Sequence, residues 1–363
     1  MPSPRHAGNI INAVSCASAG SCMAVGYTVR HGDITHALTE HWNGARWSIV
    51  PTPRIPDTLP TTWFNGVSCP GQNFCVGVGY FDRNLTLYPL AEVWNGHRWS
   101  LRLPSNDGGA FPAQLEGVSC PSSRRCVAVG LGGERALENV VERWNGRGWT
   151  ATTSHAFPSG WTWNAIACTS ADACMAVGGP WSGSFNGRHW TIRRIPGMSD
   201  AFHSGEPGAV SCSSASACMT VSQTGGFHSR MLAAYWNGGR WTNESVPFPP
   251  PPPGIPPSCA PNSPVPECTP GQSYQYTTPA SLTGVSCAAS SDCEAIGSAT
   301  DTQNGAEVVI ATHWDGTSWS TQAPSSVPSN MTFSSVSCPI GDVCETVGET
   351  QARNGTLEGA RFG

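Results

Sequence analysis

Val67-Ser68-Cys69-Pro70-Gly71-Gln72-Asn73-Phe74-Cys75-Val76-Gly77-Val78-Gly79, followed by Glu92-Val93-Trp94-Asn95-Gly96-His97-Arg98-Trp99, is one copy of a phrase that runs the length of the chain. Its general form is V-S-C, five residues, C-x-A-V-G, a variable stretch, then W-N-G-x-x-W. The first cysteines of the seven copies are Cys16, Cys69, Cys120, Cys168, Cys212, Cys287 and Cys338. A period of roughly fifty residues with strand-like content marks a propeller or a solenoid, whose units bury their apolar faces only against their neighbours.

Within this copy, Phe64 to Cys69 reads as a short strand. Cys75 to Tyr80 is apolar and glycine-rich and reads as a buried one. Leu87 to Val93 alternates loosely up to Trp94. Asn95-Gly96 is a strong hairpin signal, since both residues accept positive φ. Trp99 then opens a fourth strand that runs out at Leu103-Pro104. Four short antiparallel strands per repeat, seven times over, predict an all-β, seven-bladed β-propeller with four-stranded blades. The small residues of A-V-G suit the crowded inner part of a blade. The eleven tryptophans of the copies should pack between neighbouring blades. One domain, 1–363, is expected, with blade cores starting near 10, 63, 114, 162, 207, 281 and 332 and a proline-rich insertion at 243–281. The last copy stops early, with Phe362 at the first tryptophan position. Pro2-Ser3-Pro4 resembles the tail of a fourth strand, as in Pro51-Thr52-Pro53, so residues 1–9 are expected to complete the last blade. Closing the ring in this way would remove two exposed sheet edges.

The chain has 16 cysteines, and each copy carries one C-x5-C pair. The pairs are Cys16 with Cys22, Cys69 with Cys75, Cys120 with Cys126, Cys168 with Cys174, Cys212 with Cys218, Cys287 with Cys293 and Cys338 with Cys344. An eighth pair, Cys259 with Cys268, lies in the insertion. A zinc site would show tighter knuckles with histidines at matched spacing, and the histidines here fall irregularly. The pairs are therefore read as eight local disulfides, one per blade and one pinning the insertion. That usage belongs to a secreted, extracellular protein. Residues 1–6, Met-Pro-Ser-Pro-Arg-His, contain no apolar core of a signal peptide.

All 19 basic residues are arginine, only 12% of residues are charged, and the net charge is −5. No basic groove for nucleic acid is expected, and no apolar run reaches membrane-spanning length. There is no nucleophile elbow, phosphate loop, H-E-x-x-H or EF-hand, so neither a cofactor nor a metal site is expected.

The S-V-S-C…C-x-A-V-G…E-x-W-N-G-x-x-W units resemble those of secreted actinobacterial β-propeller repeat proteins, over nearly the whole chain. Some related propellers look like the lectin subunits of umbrella-shaped toxin particles. That resemblance implies glycan or cell-surface recognition, in which the chain could serve as a toxin subunit. His313-Trp314-Asp315-Gly316-Thr317-Ser318-Trp319 also looks like a sialidase Asp box, but it stands where other copies carry Asn-Gly and is read as a turn.

In a propeller, the C-x5-C loop and the N-G turn lie on one face and are short and uniform here. The second-to-third strand loops (28–35, 81–88, 299–306) and the blade connectors (51–63, 151–163, 243–281) lie on the other and vary. Binding residues gather on loops held by a rigid scaffold, so the variable face is the expected working face. Trp63, Trp161, Trp163 and Trp181 fall outside the repeat and map to it. Trp161, Trp163 and Trp181 surround the copy with the shortest second-to-third loop, where a notch is expected beside the Pro249–Pro253 run. Aromatic rings give large contact area at low entropy cost and stack on sugars; the alternative is that these tryptophans fill gaps beneath the connectors. His203, Glu206, Arg188 and His189 are the candidate polar partners. At four positions before each first cysteine stand Asn12, Asn65, Glu116, Asn164, Gly208, Thr283 and Ser334, candidates for the central channel and for hydrogen bonds to its water.

The expected function is that of a non-enzymatic recognition module for glycans or cell-surface polysaccharide. A protein-binding subunit of a larger secreted complex is the first alternative. A glycan-cleaving enzyme is the second, and it would need two acids about 5–9.5 Å apart, at least one with a raised pKa.

Overall fold

In the computed structural model of the chain, the described residues are 8–30, 34–55, 61–83, 86–104, 113–132, 138–153, 158, 160–198, 208–223, 231–247, 276–301, 307–322, 331–340, 343–350 and 360–362. They form an all-β propeller with six four-stranded blades, at 8–49, 61–101, 113–153, 165–194, 209–244 and 276–322. Each blade is an antiparallel meander with its strands in sequence order. The expectation of seven four-stranded blades is therefore corrected. The last copy forms a three-stranded sheet, Met331–Ile340, Val343–Thr350 and Ala360–Phe362. Ala360–Phe362 pairs with Val343–Thr350, and among the described residues no fourth strand pairs beyond it. Of the residues expected to complete it, 1–7 lie outside the described residues. Gly8 and Asn9 pair with Val29 and Thr28 inside blade one.

The first strands of successive sheets touch in turn, and that of the last sheet touches that of the first. Their repeated V-S-C explains how. The Cys69 N–H donates to Ser15 Oγ of the preceding blade, Cys120 to Ser68, Cys168 to Ser119, Cys287 to Ser211, Cys338 to Ser286 and Cys16 to Ser337, all at 2.8–3.0 Å. The serine is thus a staple between sheets, and Ser337 carries the pattern back to the start. Blade four has Ala167 at this place.

The cores lie between blades. Met23 and Val25 of blade one pack on Trp94 and Trp99 of blade two; Val76 and Val78 pack on Trp144 and Trp149 of blade three. The tryptophans of each pair sit 5.5–5.9 Å apart, as in Trp144–Trp149 and Trp94–Trp99. They are core, as the repeat predicts. The N-G signal closes a different turn from the two-residue hairpin it suggests. Trp94 pairs with Trp99 across four loop residues. Asn95 Oδ1 accepts from the His97 and Arg98 N–H groups, and only Gly96 needs its φ of 91°. Asp315 builds the same turn, accepting from the Thr317 and Ser318 N–H groups.

Seven disulfides close the C-x5-C pairs as expected, with Cα atoms 3.9–4.1 Å apart. Cys16 is bonded to Cys22, Cys69 to Cys75, Cys120 to Cys126 and Cys168 to Cys174. Cys212 is bonded to Cys218, Cys287 to Cys293 and Cys338 to Cys344. The second cysteine of each pair opens a second strand and is buried or nearly so. Cys22, Cys174, Cys218, Cys293 and Cys344 all belong to the cores between blades. The eighth expected disulfide, between Cys259 and Cys268, lies outside the described residues, as does most of the insertion. The ends of the insertion, Asn243-Glu244 and Tyr276–Ser281, belong to the last strand of blade five and the first of blade six. No helix is long and apolar enough to cross a membrane.

Candidate functional site

The site starts from an irregularity in the first strand of each sheet. Register shifts fall between Ile11 and Ala13, Phe64 and Gly66, Leu282 and Gly284, and Phe333 and Ser335. The residue left over is the one four places before the cysteine. A bulge re-aims its side chain, and here it reaches the next sheet. Asn12 Nδ2 donates to Phe64 O at 2.6 Å, Asn65 Nδ2 to Leu115 O at 3.0 Å, and Thr283 Oγ1 to Phe333 O at 2.7 Å. At these three positions the side chain is a second staple between sheets. The facing glycine of A-V-G lets the strands close there. A Cβ on Gly26, Gly79, Gly130, Gly297 or Gly348 would lie 1.8–2.0 Å from a first-strand carbonyl oxygen, and one on Gly178 would lie 1.8 Å from Thr162 O, just ahead of the first strand of blade four.

One pair beyond each such glycine, cross-strand partners stand half-buried on the variable-face side: Ile10 with Tyr27, Trp63 with Tyr80, Gln114 with Leu131, Ser281 with Ser298, and Thr332 with Glu349. Blades one and two make this stretch aromatic. Trp63 stacks on Tyr80 with centroids 4.6 Å apart and planes at 29°. Tyr27 meets Trp63 edge-on at 6.1 Å and 74°. Acids bracket the triad. Asn65 Nδ2 donates to Glu116 Oε2 at 3.1 Å, and burial pushes the Glu116 carboxyl up to about 7. Burial, then the charge of Glu116 and the neighbouring Tyr27, raises the Tyr80 phenol. Burial and then the charge of Glu349 raise that of Tyr27. The arrangement offers flat aromatic area beside one carboxyl poised near neutrality.

Of the residues picked from the sequence, Trp63 belongs to this triad. The other three tryptophans gather at blade four. Trp163 is 0% exposed and lies 5.7 Å from Trp190, between blades three and four. It supports the surface from below and touches no solvent. Trp161 is half-buried, its ring laid over Gly179, where a Cβ would meet it at 2.0 Å. Gly179-Pro180 is the whole second-to-third turn of this blade, so the expected notch is the seat of that ring. The buried Asn139 clamps the segment, donating to Trp161 O at 2.9 Å and accepting from Trp163 N–H at 2.8 Å. Trp181 is half-buried with the Arg194 guanidinium 5.8 Å from its ring. Arg188 and His189 are exposed in the turn capped by Asn186, on the opposite face, and do not join these tryptophans. His203 and Glu206 lie outside the described residues. Tyr27 and Tyr80 escape sequence reading because each follows the repeat's glycine (Gly26, Gly79) as an unremarkable strand residue. The signal that could have found them is the clustering of aromatics at one level of the first two copies. Among the described residues no group of three or more His, Cys, Asp or Glu side chains is placed to hold a metal ion.

No family model matches the chain, and no curated protein matches it. Solved structures do. YCF48 bound to D1 peptide is 13% identical with a TM-score of 0.57, over 99% of this chain and 94% of that one. The GH74 xyloglucanase from Xanthomonas campestris is 10% identical with a TM-score of 0.59, over 97% of this chain and 54% of that one. A PL25 ulvan lyase is 10% identical with a TM-score of 0.54, over 99% and 94%. At such identities these likenesses establish the fold alone, and the chain is similar to all three as a β-propeller.

Proposed function

We propose that this chain is a secreted, non-catalytic recognition propeller that binds a glycan on its variable face, with Trp63, Tyr80 and Tyr27 as the stacking platform. The observation that carries this reading is the half-buried aromatic triad bracketed by Glu116 and Glu349. Rigid rings supply apolar area for a sugar face at little entropy cost, and carboxyl groups accept from its hydroxyls. Trp161 and Trp181 at blade four form an auxiliary surface on the same face. Seven disulfides favour an oxidising, extracellular setting. The domain is read as one propeller carrying the 243–281 insertion.

The test is a screen of the oxidised protein against glycans and cell-wall polysaccharides, with Trp63→Ala and Trp161→Ala alongside. Trp63→Ala should weaken binding at least tenfold while the fold persists, and Trp161→Ala by less. Full-strength binding by Trp63→Ala would rule the platform out. A second reading, glycan cleavage, is favoured by the burial that pushes the Glu116 carboxyl up to about 7, the range in which a general acid works at neutral pH. Under it the wild type would release reducing ends from a bound polysaccharide and Glu116→Gln would not.

A further inference from the structure

On the opposite face, the seam between blades three and four encloses a cavity of about 260 Å³. Its near wall is the strands of blade three, where Arg125, Val127, Arg143 and Thr150 share one face beside Cys126 and Trp144. Val127 pairs with Arg143 and Arg143 with Thr150 across three strands, and Arg125 stands two residues before Val127. Its far wall is Ala171-Asp172, in the cysteine loop of blade four.

The cause lies in the repeat. Where other blades carry the first tryptophan of W-N-G-x-x-W, blade four carries Phe185. At other seams a ring from one blade lies by that tryptophan of the next: His41 at 6.0 Å from Trp94, Tyr235 at 6.2 Å from Trp314. Here the Arg143 guanidinium lies 4.1 Å from the smaller Phe185 ring, and the seam stays open. Arg143 is half-buried, and among the described residues no carboxylate comes within 4.0 Å of it. Burial holds its pKa down, against the opposing pull of Asp172. A partly desolvated guanidinium fork gains most from a planar, bidentate acceptor.

We propose that this seam binds the carboxylate of a uronic-acid residue, with Arg143 and Arg125 on the carboxylate and Asp172 and Thr150 on the sugar hydroxyls. Two cations and one acid leave the cavity net positive. Asp172 repels a second carboxylate but accepts from a hydroxyl, which suits a ligand with one acid and several hydroxyls. The volume lies just under the roughly 300–1,000 Å³ of drug-sized sites, room for one ring rather than a chain. The site is independent of the Trp63–Tyr80–Tyr27 platform on the variable face.

Titration calorimetry with glucuronate and galacturonate, against glucose and galactose, tests it. The uronates should bind at least tenfold more tightly than the neutral sugars, and less tightly as salt is raised. Arg143→Ala should weaken them tenfold or more and Arg125→Ala several-fold. Arg143→Lys, which keeps the charge and loses the fork, should also lose most of the affinity. Trp63→Ala should leave uronate binding unchanged, which separates this site from the variable-face platform. Equal affinity for uronates and neutral sugars, no uronate binding, or uronate binding unaltered in Arg125→Ala and Arg143→Lys would overturn the proposal. Arg125 is exposed, so its variant decides even if Arg143→Ala does not fold.

Discussion

The serine of V-S-C does its work in the next sheet. Ser68 Oγ accepts the Cys120 N–H at 3.0 Å, so Ser68→Ala leaves that amide without its partner at a half-buried seam. A cost of about 1–2 kcal/mol is expected, the usual penalty for an orphaned donor. The chain also contains the reverse experiment. At blade four the serine is Ala167, and a cavity of about 40 Å³ lined by Ala167 and Cys212 lies beside it. Ala167→Ser should supply the missing staple and stabilise by about 0.5–1 kcal/mol. Urea unfolding with an unchanged m-value is the measurement. A destabilised Ala167→Ser would show that the serine matters for something other than this bond.

At the scale of the strand, the bulge and the A-V-G glycine form one device. A Cβ on Gly79 would fall 2.0 Å from Trp63 O and 2.9 Å from Phe64 Cα, both backbone atoms that cannot step aside. Gly79→Ala must therefore separate the first two strands of blade two, at well over about 3 kcal/mol, and shift Trp63 with them. Gly71 offers the control: in the same blade nothing lies within 4 Å of its Cβ position. Gly71→Ala should change stability by less than about 0.5 kcal/mol and leave ligand binding intact. Thermal melts of the two variants decide, and a mild Gly79→Ala would refute the close approach. Such devices show where sequence reading stopped. Alternation, Asn-Gly turns and paired cysteines are local signals, and the strands and seven disulfides followed from them, while Asn-Gly marked the place of each turn but not its length. The partners of Ser68, Asn65 and Gly79 lie in another strand or another copy, so spacing within one repeat says nothing of them. Trp163 was legible as a non-repeat aromatic but not as a core one, because its burial depends on Asn139 of the preceding blade.

For the whole ring, the seams carry a pH dependence. Glu40 shares the face of blade one that sets Leu38 and Trp42 against Val347 of the last sheet. Glu92 shares the face of blade two that sets Leu90 and Trp94 against Met23 and Val25. They are 0% and 1% exposed. Burial pushes Glu40 up to about 7 and Glu92 up to about 8. An unfolded glutamate ionises near its ordinary value of 4.5. Below that pH both states hold the proton and the seams contribute fully. Between 4.5 and about 8 the folded state still holds protons that the unfolded state has released, so stability falls as pH rises. At about 1.36 kcal/mol per pKa unit, the pair should cost several kcal/mol across that window. The Tm is therefore expected to drop steadily from pH 5 to 8.5. Glu40→Gln with Glu92→Gln, which keeps shape and removes the charge, should flatten the slope and gain most at the alkaline end. A wild type with level Tm over this range, or a double variant that keeps the full slope, would show that the seam glutamates ionise without strain and that the ring's tolerance of base is set elsewhere.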